Sequence, residues 1–320
     1  MIAFAARRFG AALFTAWVAS VLAFLLFWTV PNVDPAYKLG GGRQGTDRTR
    51  QQATDQYGLD DSLPVQYVRL MKGILGGTVT CFYGCGNLRT AFFEGLPVTF
   101  WLVAGSAAIA IGLGVALALV CVRHRGRLLD RVITNAAVVA YSVPSLVLAG
   151  VLWAFLAYKW RIFPSEGYVG LTENPIQWFW HMLLPWIAAA LPFAGAYVQI
   201  VRANLLDGVN EDWVRAARAK GLSEKSLLRR HVLRNCLIPP VNIWGLDFSH
   251  AFGGFVLYVE VIFGLPGIGS LTAQTLKAYD LPPIVGLAVW LALVVVIVSA
   301  LIDLLVAWLD PRIRSRRVTV

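Results

Sequence analysis

Charge is scarce in this sequence. Asp, Glu, Lys and Arg make up 14% of 320 residues, whereas a soluble domain carries about a quarter. Cysteine and histidine are also few, at four each. The histidines, His124, His181, His231 and His250, are scattered, and Cys81-x-x-x-Cys85 has no histidine beside it. That spacing supports no metal site. No Gly-x-x-x-x-Gly-Lys-Ser/Thr run occurs, and Lys225-Ser226 has no glycine before it, so the phosphate-cradling loop of a nucleotide-binding protein is not encoded. No Ser/His/Asp set is legible, and neither an internal repeat nor a low-complexity tract stands out. Short alternating apolar segments, the mark of a membrane β-barrel, are missing as well.

Hydrophobic residues are abundant instead, at 58% with mean hydropathy +0.64, and they come in long blocks. About 20 predominantly apolar residues cross a hydrocarbon core. Six stretches qualify: Phe9–Val30, Val98–Val122, Ile133–Tyr158, Met182–Val201, Leu237–Phe263 and Ile284–Leu309. Backbone amides in lipid must be paired within the segment, so these are expected to be helices. The expected fold is an all-α polytopic membrane protein. The first stretch is too long for a signal-peptide core and has no small-residue cleavage site, so it reads as an uncleaved span.

The net charge of +10 points to orientation rather than to nucleic acid. Basic residues gather at Arg7 and Arg8, in the loop after span two (Arg123, Arg125, Arg127, Arg131), in the loop after span four (Arg202 to Arg234) and in the tail (Arg312, Arg314, Arg316, Arg317). Positive charge favours the cytoplasmic side. Both termini and both basic loops are therefore expected there, which six spans allow. The chain then divides into 1–93, a first helix with a long extracytoplasmic loop; 94–310, a five-helix core with a cytoplasmic loop over 202–235; and the basic tail 311–320. In the long loop, Tyr57 to Gly73 suits a short amphipathic helix. Cys81 and Cys85 face an oxidising compartment, which leaves a disulfide and two free thiols as alternatives. Cys121 and Cys236, near cytoplasmic span ends, read as packing residues.

The loop after span four is the most informative segment. Asn210 or Asp212 offers an N-cap, Ala216, Ala217 and Ala219 favour helix, and Gly221 suits a helix stop. Ser223 offers a second N-cap, and Leu227, Leu228 and Val232 give the next helix an apolar side. Helix, glycine turn and helix, with small alanines on the surface, suit close approach by another protein. The plainer alternative is a solvated positive-inside loop.

Polar groups within spans are costly and invite a functional reading. Span five carries Asn242, Asp247, Ser249, His250 and Glu260. Asp247 and His250, three residues apart, share a helix face. They line a polar path or form a buried pair that fixes packing. Asp303 in span six is a weaker candidate of the same kind. Pro144 and Pro192 are expected to kink spans three and four, Gly253-Gly254 to flex or pack span five, and Gly112-Leu113-Gly114 to be a helix-packing site. Trp153, Trp160, Trp178, Trp180 and Trp186 read as an interfacial belt.

Arg215-Ala216-Ala217-x-x-x-Gly221 resembles the EAA loop of type I ATP-binding-cassette (ABC) importer permeases. The run from Glu211 to Leu222, His231-Val232-Leu233-Arg234-Asn235, and Val259-Glu260-x-x-Phe263-Gly264-Leu265-Pro266-Gly267-Ile268-Gly269 are similar to the dipeptide/oligopeptide/nickel branch. The layout looks most like that branch's B-type subunit. Arg215 replaces the usual leading Glu, and the proline after the second helix is delayed to Pro239; both departures fit the peptide branch. The resemblance implies half of a translocation path for di- or oligopeptides across the plasma (inner) membrane, with nickel or haem-like ligands as the alternative cargo. It implies a homologous second permease, one or two ATPase subunits that carry ATP and magnesium, and an extracytoplasmic substrate-binding protein that largely sets specificity. The chain itself needs no cofactor and is no enzyme. Asp212, Trp213, Arg215, Ala216, Ala217, Arg218, Lys220, Gly221 and Leu222 become the ATPase-coupling contact. Asn242, Asp247, His250 and Glu260 become the candidate path. The competing reading is a self-contained secondary transporter, which calls for inverted repeats and broken helices in both halves; neither is legible.

Overall fold

The computed structural model describes residues 2–29, 37, 46–81, 85–222, 226–227, 232–278 and 280–309. Nearly all of them are helical, and among the described residues the β-structure is one isolated bridge, Thr80 to Asn87. The helices are α1 (Ile2–Thr29), α2 (Asp47–Tyr57), α3 (Leu63–Gly76), α4 (Leu88–Arg123), α5 (Leu128–Ser142), α6 (Ser145–Leu152), α7 (Pro175–Val209), α8 (Asp212–Ala219), α9 (Leu233–Cys236), α10 (Ile238–Ala251), α11 (Val256–Phe263), α12 (Ile268–Ala278) and α13 (Leu281–Leu309). The chain groups into two compact units: Met1–Phe100 with Gly264–Ala300, and Trp101–Phe263 with Leu301–Val320.

Every expected span coincides with helix, but not every span is one rod. Among the described residues, α4, α7 and α13 are long and apolar enough to cross a membrane unbroken. Two further spans are bent pairs, α5 with α6 and its continuation to Lys159 at 99°, and α10 with α11 at 48°. The apolar stretch of α1, Leu13–Leu26, is shorter. The sequence reading saw no broken helices, and these two bends correct it. Pro144 does more than kink span three. Val143 is extended, at φ −84° and ψ 122°, because the proline ring crowds the residue before it out of helical geometry. Pro144 then starts a new helix, which ends in a π-helical stretch, Trp153–Lys159. Span five breaks at Phe252–Phe255, around Gly253-Gly254. By contrast α7 is one unbroken helix with Pro185 and Pro192 inside it.

The first unit shows what the long first loop becomes. The short helix expected within Tyr57–Gly73 is α3, which starts at Leu63; Tyr57 ends the preceding α2, and Gly58, at φ +62°, makes the turn between them. The amide of Gln66 holds that turn by donating to the carbonyls of Leu59 (2.9 Å) and Asp61 (2.8 Å). Leu70 and Ile74 of α3 are buried with Phe24, Phe92, Ile268 and Val285, and a Ser20–Tyr67 hydroxyl contact of 2.6 Å ties α1 to α3. The helices α2 and α3 of this loop are therefore a packed part of the unit. A disulfide joins Cys81 and Cys85 beside the Thr80–Asn87 bridge, with Cα atoms 5.4 Å apart. The glycine-rich turn Gly264–Gly269 belongs here too. Gly264 has φ +62°, Leu265 and Ile268 are buried, and the amide of Ile268 donates to the Thr99 hydroxyl at 2.9 Å. A side chain at Gly95 would press on the backbone of Gly267. The turn's glycines thus serve close helix packing.

In the second unit α7 is the central helix. The Asn174 side chain caps it, accepting from the amides of Ile176 and Gln177 at 3.2 and 3.1 Å, with Pro175 in the first turn. Glycines let neighbours approach: Gly105 lies under Trp186, Gly114 under Tyr197, and Gly195 against the Ala137 carbonyl of α5. Gly112 meets nothing, so the expected packing site is Gly114 alone. Trp186 corrects the belt reading. It is 6% exposed, its indole donates to the Trp101 carbonyl at 2.9 Å, and Trp178 and Phe179 pack edge-on against it. Trp160 and Trp180 remain on the surface.

Candidate functional site

The loop after span four begins later than its sequence suggests, because α7 continues to Val209. Asn210 ends it, its side-chain amide donating to the Leu206 carbonyl at 2.9 Å. Glu211, extended at φ −65° and ψ 148°, occupies the N-cap position of α8 without a side-chain cap bond. Neither Asn210 nor Asp212 is the cap, which corrects the sequence reading. Asp212 instead sits in the first turn, where an acid suits the positive end of the helix, and pairs with Arg215 at 3.3 Å.

The other end of α8 follows the glycine reading. Gly221 has φ +84°. Its amide donates to the Arg218 carbonyl at 2.9 Å, and the Leu222 amide reaches back to the Ala217 carbonyl at 3.4 Å. This paired reverse closure is the Schellman arrangement, which needs a left-handed residue at the turn and so selects glycine. Ser223 and Leu228, assigned to the next helix, lie outside the described residues, as do His231 and the side chains of Arg234 and Asn235.

Among the described residues, apolar packing holds one side of α8. Val214 is fully buried and Ala217 half-buried, packed with Ala118, Val201, Leu205, Leu227 and Val232. Asp212, Trp213, Arg215, Ala216, Arg218, Lys220, Gly221 and Leu222 are exposed, Trp213 and Leu222 at 40% each. The structure thus gathers all nine residues of the expected contact into one short element. Eight of them face outward, and a tryptophan and a leucine stand among the charges. Cys236 packs behind, its sulfur filling the space beside Gly208. Burial, then the charges of Asp207 and Glu211, pushes its thiol up from the ordinary range.

The ground under α8 contains a residue the sequence reading missed. Asp130, 3% exposed, receives the Arg202 guanidinium as a fork, Nε to Oδ1 at 2.8 Å and Nη2 to Oδ2 at 2.9 Å. The Gly126 amide adds a third bond at 3.0 Å. No spacing rule connects positions 72 residues apart.

The path candidates are not brought together. Asp247 lines a crevice between α4, α7 and α10 with Ser106, Phe193, Tyr197, Trp244 and Phe248, and its Oδ2 accepts from the Tyr197 hydroxyl at 2.6 Å. The water-accessible volume there is about 20 Å³, room for a water and no more. His250 is exposed and makes no ion pair with Asp247 among the described residues. Glu260 is fully buried in α11 and does not line the crevice. The side chains of Asn242 and Asp303 lie outside the described ones. Tyr197 and Trp244 were not singled out from sequence, since aromatic residues in spans are usually packing.

The chain is similar to known proteins along most of its length. Residues 108–315 match the family described as binding-protein-dependent transport system inner membrane component, and residues 1–93 match the N-terminal part of such membrane components. A probable peptide ABC transporter permease protein of Sinorhizobium fredii is 30% identical over 93% of this chain and 94% of its own. The dipeptide transport system permease protein DppB of Bacillus subtilis is 30% identical over 97% of each chain. The probable D,D-dipeptide transport system permease protein DdpB of Escherichia coli is 29% identical over 96% of each. Among solved structures, an inward-facing MetNI methionine ABC transporter chain superposes with a TM-score of 0.55 over 69% of this chain and 97% of that one, at 16% identity. That likeness concerns the fold alone.

Proposed function

The chain belongs to the binding-protein-dependent transport system inner membrane components, and on that premise we propose that it is a permease subunit of an ABC importer for peptides. It is a multi-pass protein of the inner membrane. The peptide assignment is supported by relatives near 30% identity along their full length, whose names specify peptides and dipeptides.

The partners belong to this proposal as well. A second, homologous permease supplies the other half of the path, an extracytoplasmic binding protein delivers the peptide, and ATP and magnesium are bound by ATPase subunits. The observation that supports the ATPase contact is the half-docked state of α8. Two residues anchor it, while Trp213, Leu222 and a mixed set of charges face outward. An aromatic anchor inside a charged rim is the usual make-up of a protein interface. Drawing two such helices together as the ATPases close would rock the attached bundles and alternate access to the path. The crevice at Asp247 would be one wall of that path, with the second permease as the other.

The test is co-purification followed by transport. The tagged chain, isolated in mild detergent with its neighbouring subunits co-expressed, is expected to bring down a second permease and ATPase subunits. The reconstituted complex is expected to take up dipeptides only with ATP and the binding protein. A chain that moves peptide alone, or purifies without an ATPase, contradicts the reading.

A further inference from the structure

In the second unit α5 packs along α7, and two of the contacts bear on how the pair moves. At one, a side chain at Gly195 would collide with the Ala137 carbonyl, so the backbones touch. At the other, Arg202 grips Asp130 through two bonds of 2.8 and 2.9 Å. Ala137 lies seven residues after Asp130, and Gly195 seven before Arg202. The helices are therefore antiparallel, and both contacts fall on one face of each, two turns or about 10 Å apart. Within that packing, the close backbone approach fixes the spacing of the helices and the ion pair fixes their register. The polar one is also directional: a planar fork on a carboxylate loses a bond if either helix rotates.

Arg202 is equally well placed toward the other side. Val201 and Leu205, its neighbours on α7, are fully buried in the cluster that seats Val214 of α8. Toward its far end, α5 leads to the 99° bend at Pro144. We propose that the Asp130–Arg202 pair is a positioning contact that makes α5 move as one piece with α8, so that displacement of α8 is delivered to the Pro144 bend. This rests on the proposed ATPase contact at α8.

The test uses the whole importer reconstituted with its ATPases and binding protein. Spin labels are placed at Val139→Cys on α5 and Ala219→Cys on α8, which is exposed and outside the proposed contact, in a chain carrying Cys121→Ala and Cys236→Ala. The distance between them is measured without nucleotide and with ATP, magnesium and vanadate. It is expected to stay constant within about 2 Å, the scale of side-chain adjustment rather than of helix displacement. In the same complex Arg202→Lys keeps the charge but not the fork. It is expected to broaden the distance distribution and to lower uptake per ATP hydrolysed about tenfold, at an unchanged yield of complex. A merely structural contact would lower the yield and leave that ratio alone. A label distance that shifts between the two states, or a normal ratio in Arg202→Lys, overturns the positioning role while α8 keeps its partner. Loss of the ATPases from the unlabelled complex would instead overturn the reading of α8, and this inference with it.

Discussion

Two carboxylates of the second unit live in opposite surroundings. Asp130, under the coupling end, is engaged by Arg202 twice and by the Gly126 amide. Asp247, in the crevice, has one hydrogen-bond partner among the described residues, the Tyr197 hydroxyl at 2.6 Å. An ionised carboxylate has room for about four donors. Asp130 is close to filled, and its charge is neutralised on the spot; it holds structure. Asp247 keeps acceptor capacity beside a crevice, and that makes it available to something that passes. The two acids thus differ in engagement, and the acceptor capacity left on Asp247 is what the proposed path would use.

The sharpest break of this contrast is Asp130→Ala. It strands the Arg202 guanidinium in a mostly buried site, and the complex is expected to lose about 3–4 kcal/mol of stability, read as a lower thermal unfolding midpoint. If the midpoint holds, Asp130 is as dispensable as an ordinary surface acid. Gly221→Trp comes next. The position has open space around it, so the chain folds, but a left-handed backbone and new bulk confront whatever docks on α8. Peptide uptake is expected to fall at least tenfold, about 1.4 kcal/mol, while ATP hydrolysis continues; Gly221→Ala, with the strain and little bulk, should fall less. Equal losses in the two would assign the effect to backbone strain alone.

Asp247→Asn tests the other side of the comparison. Uptake by vesicles is expected to drop about tenfold with assembly intact, because a path carboxylate is costly to keep in a span unless it acts. His250→Gln, exposed and outside the crevice, is expected to behave as wild type. Normal uptake in Asp247→Asn would make that acid a packing residue. Tyr197→Phe removes one hydrogen bond to a charged acceptor and is expected to cost about 1.5–3 kcal/mol in stability with the fold kept. A stabilised protein would mean that Asp247 finds a better partner without it.

Much of this was legible in sequence, for identifiable reasons. A span is a run of apolar residues, so Val98–Val122 and Ile284–Leu309 sit inside α4 and α13. Gly221 was legible because a Schellman turn has few alternatives to glycine. Hydropathy counts residues and not direction, however, so one apolar block over Ile133–Tyr158 hid a 99° bend. Helix α2 escaped because it is polar all round and offers no apolar periodicity. Asp247 and His250 were grouped by spacing, yet residues three apart on a helix diverge by about 60°. That is enough to put one in a crevice and the other outside. The pairs Asp130–Arg202 and Tyr197–Asp247, 72 and 50 residues apart, are products of tertiary folding that no local pattern encodes.

The central claim is that α8 meets an ATPase subunit, and cross-linking tests it most directly. Ala216→Cys, exposed between Trp213 and Ala219, is introduced into a chain with Cys121 and Cys236 replaced by alanine. The intact complex is then treated with a short bifunctional thiol reagent, with single cysteines placed along the ATPase surface. An adduct of permease and ATPase that changes in yield on adding ATP is the predicted result. A residue 216 that labels freely in the assembled complex and joins no ATPase would contradict the account.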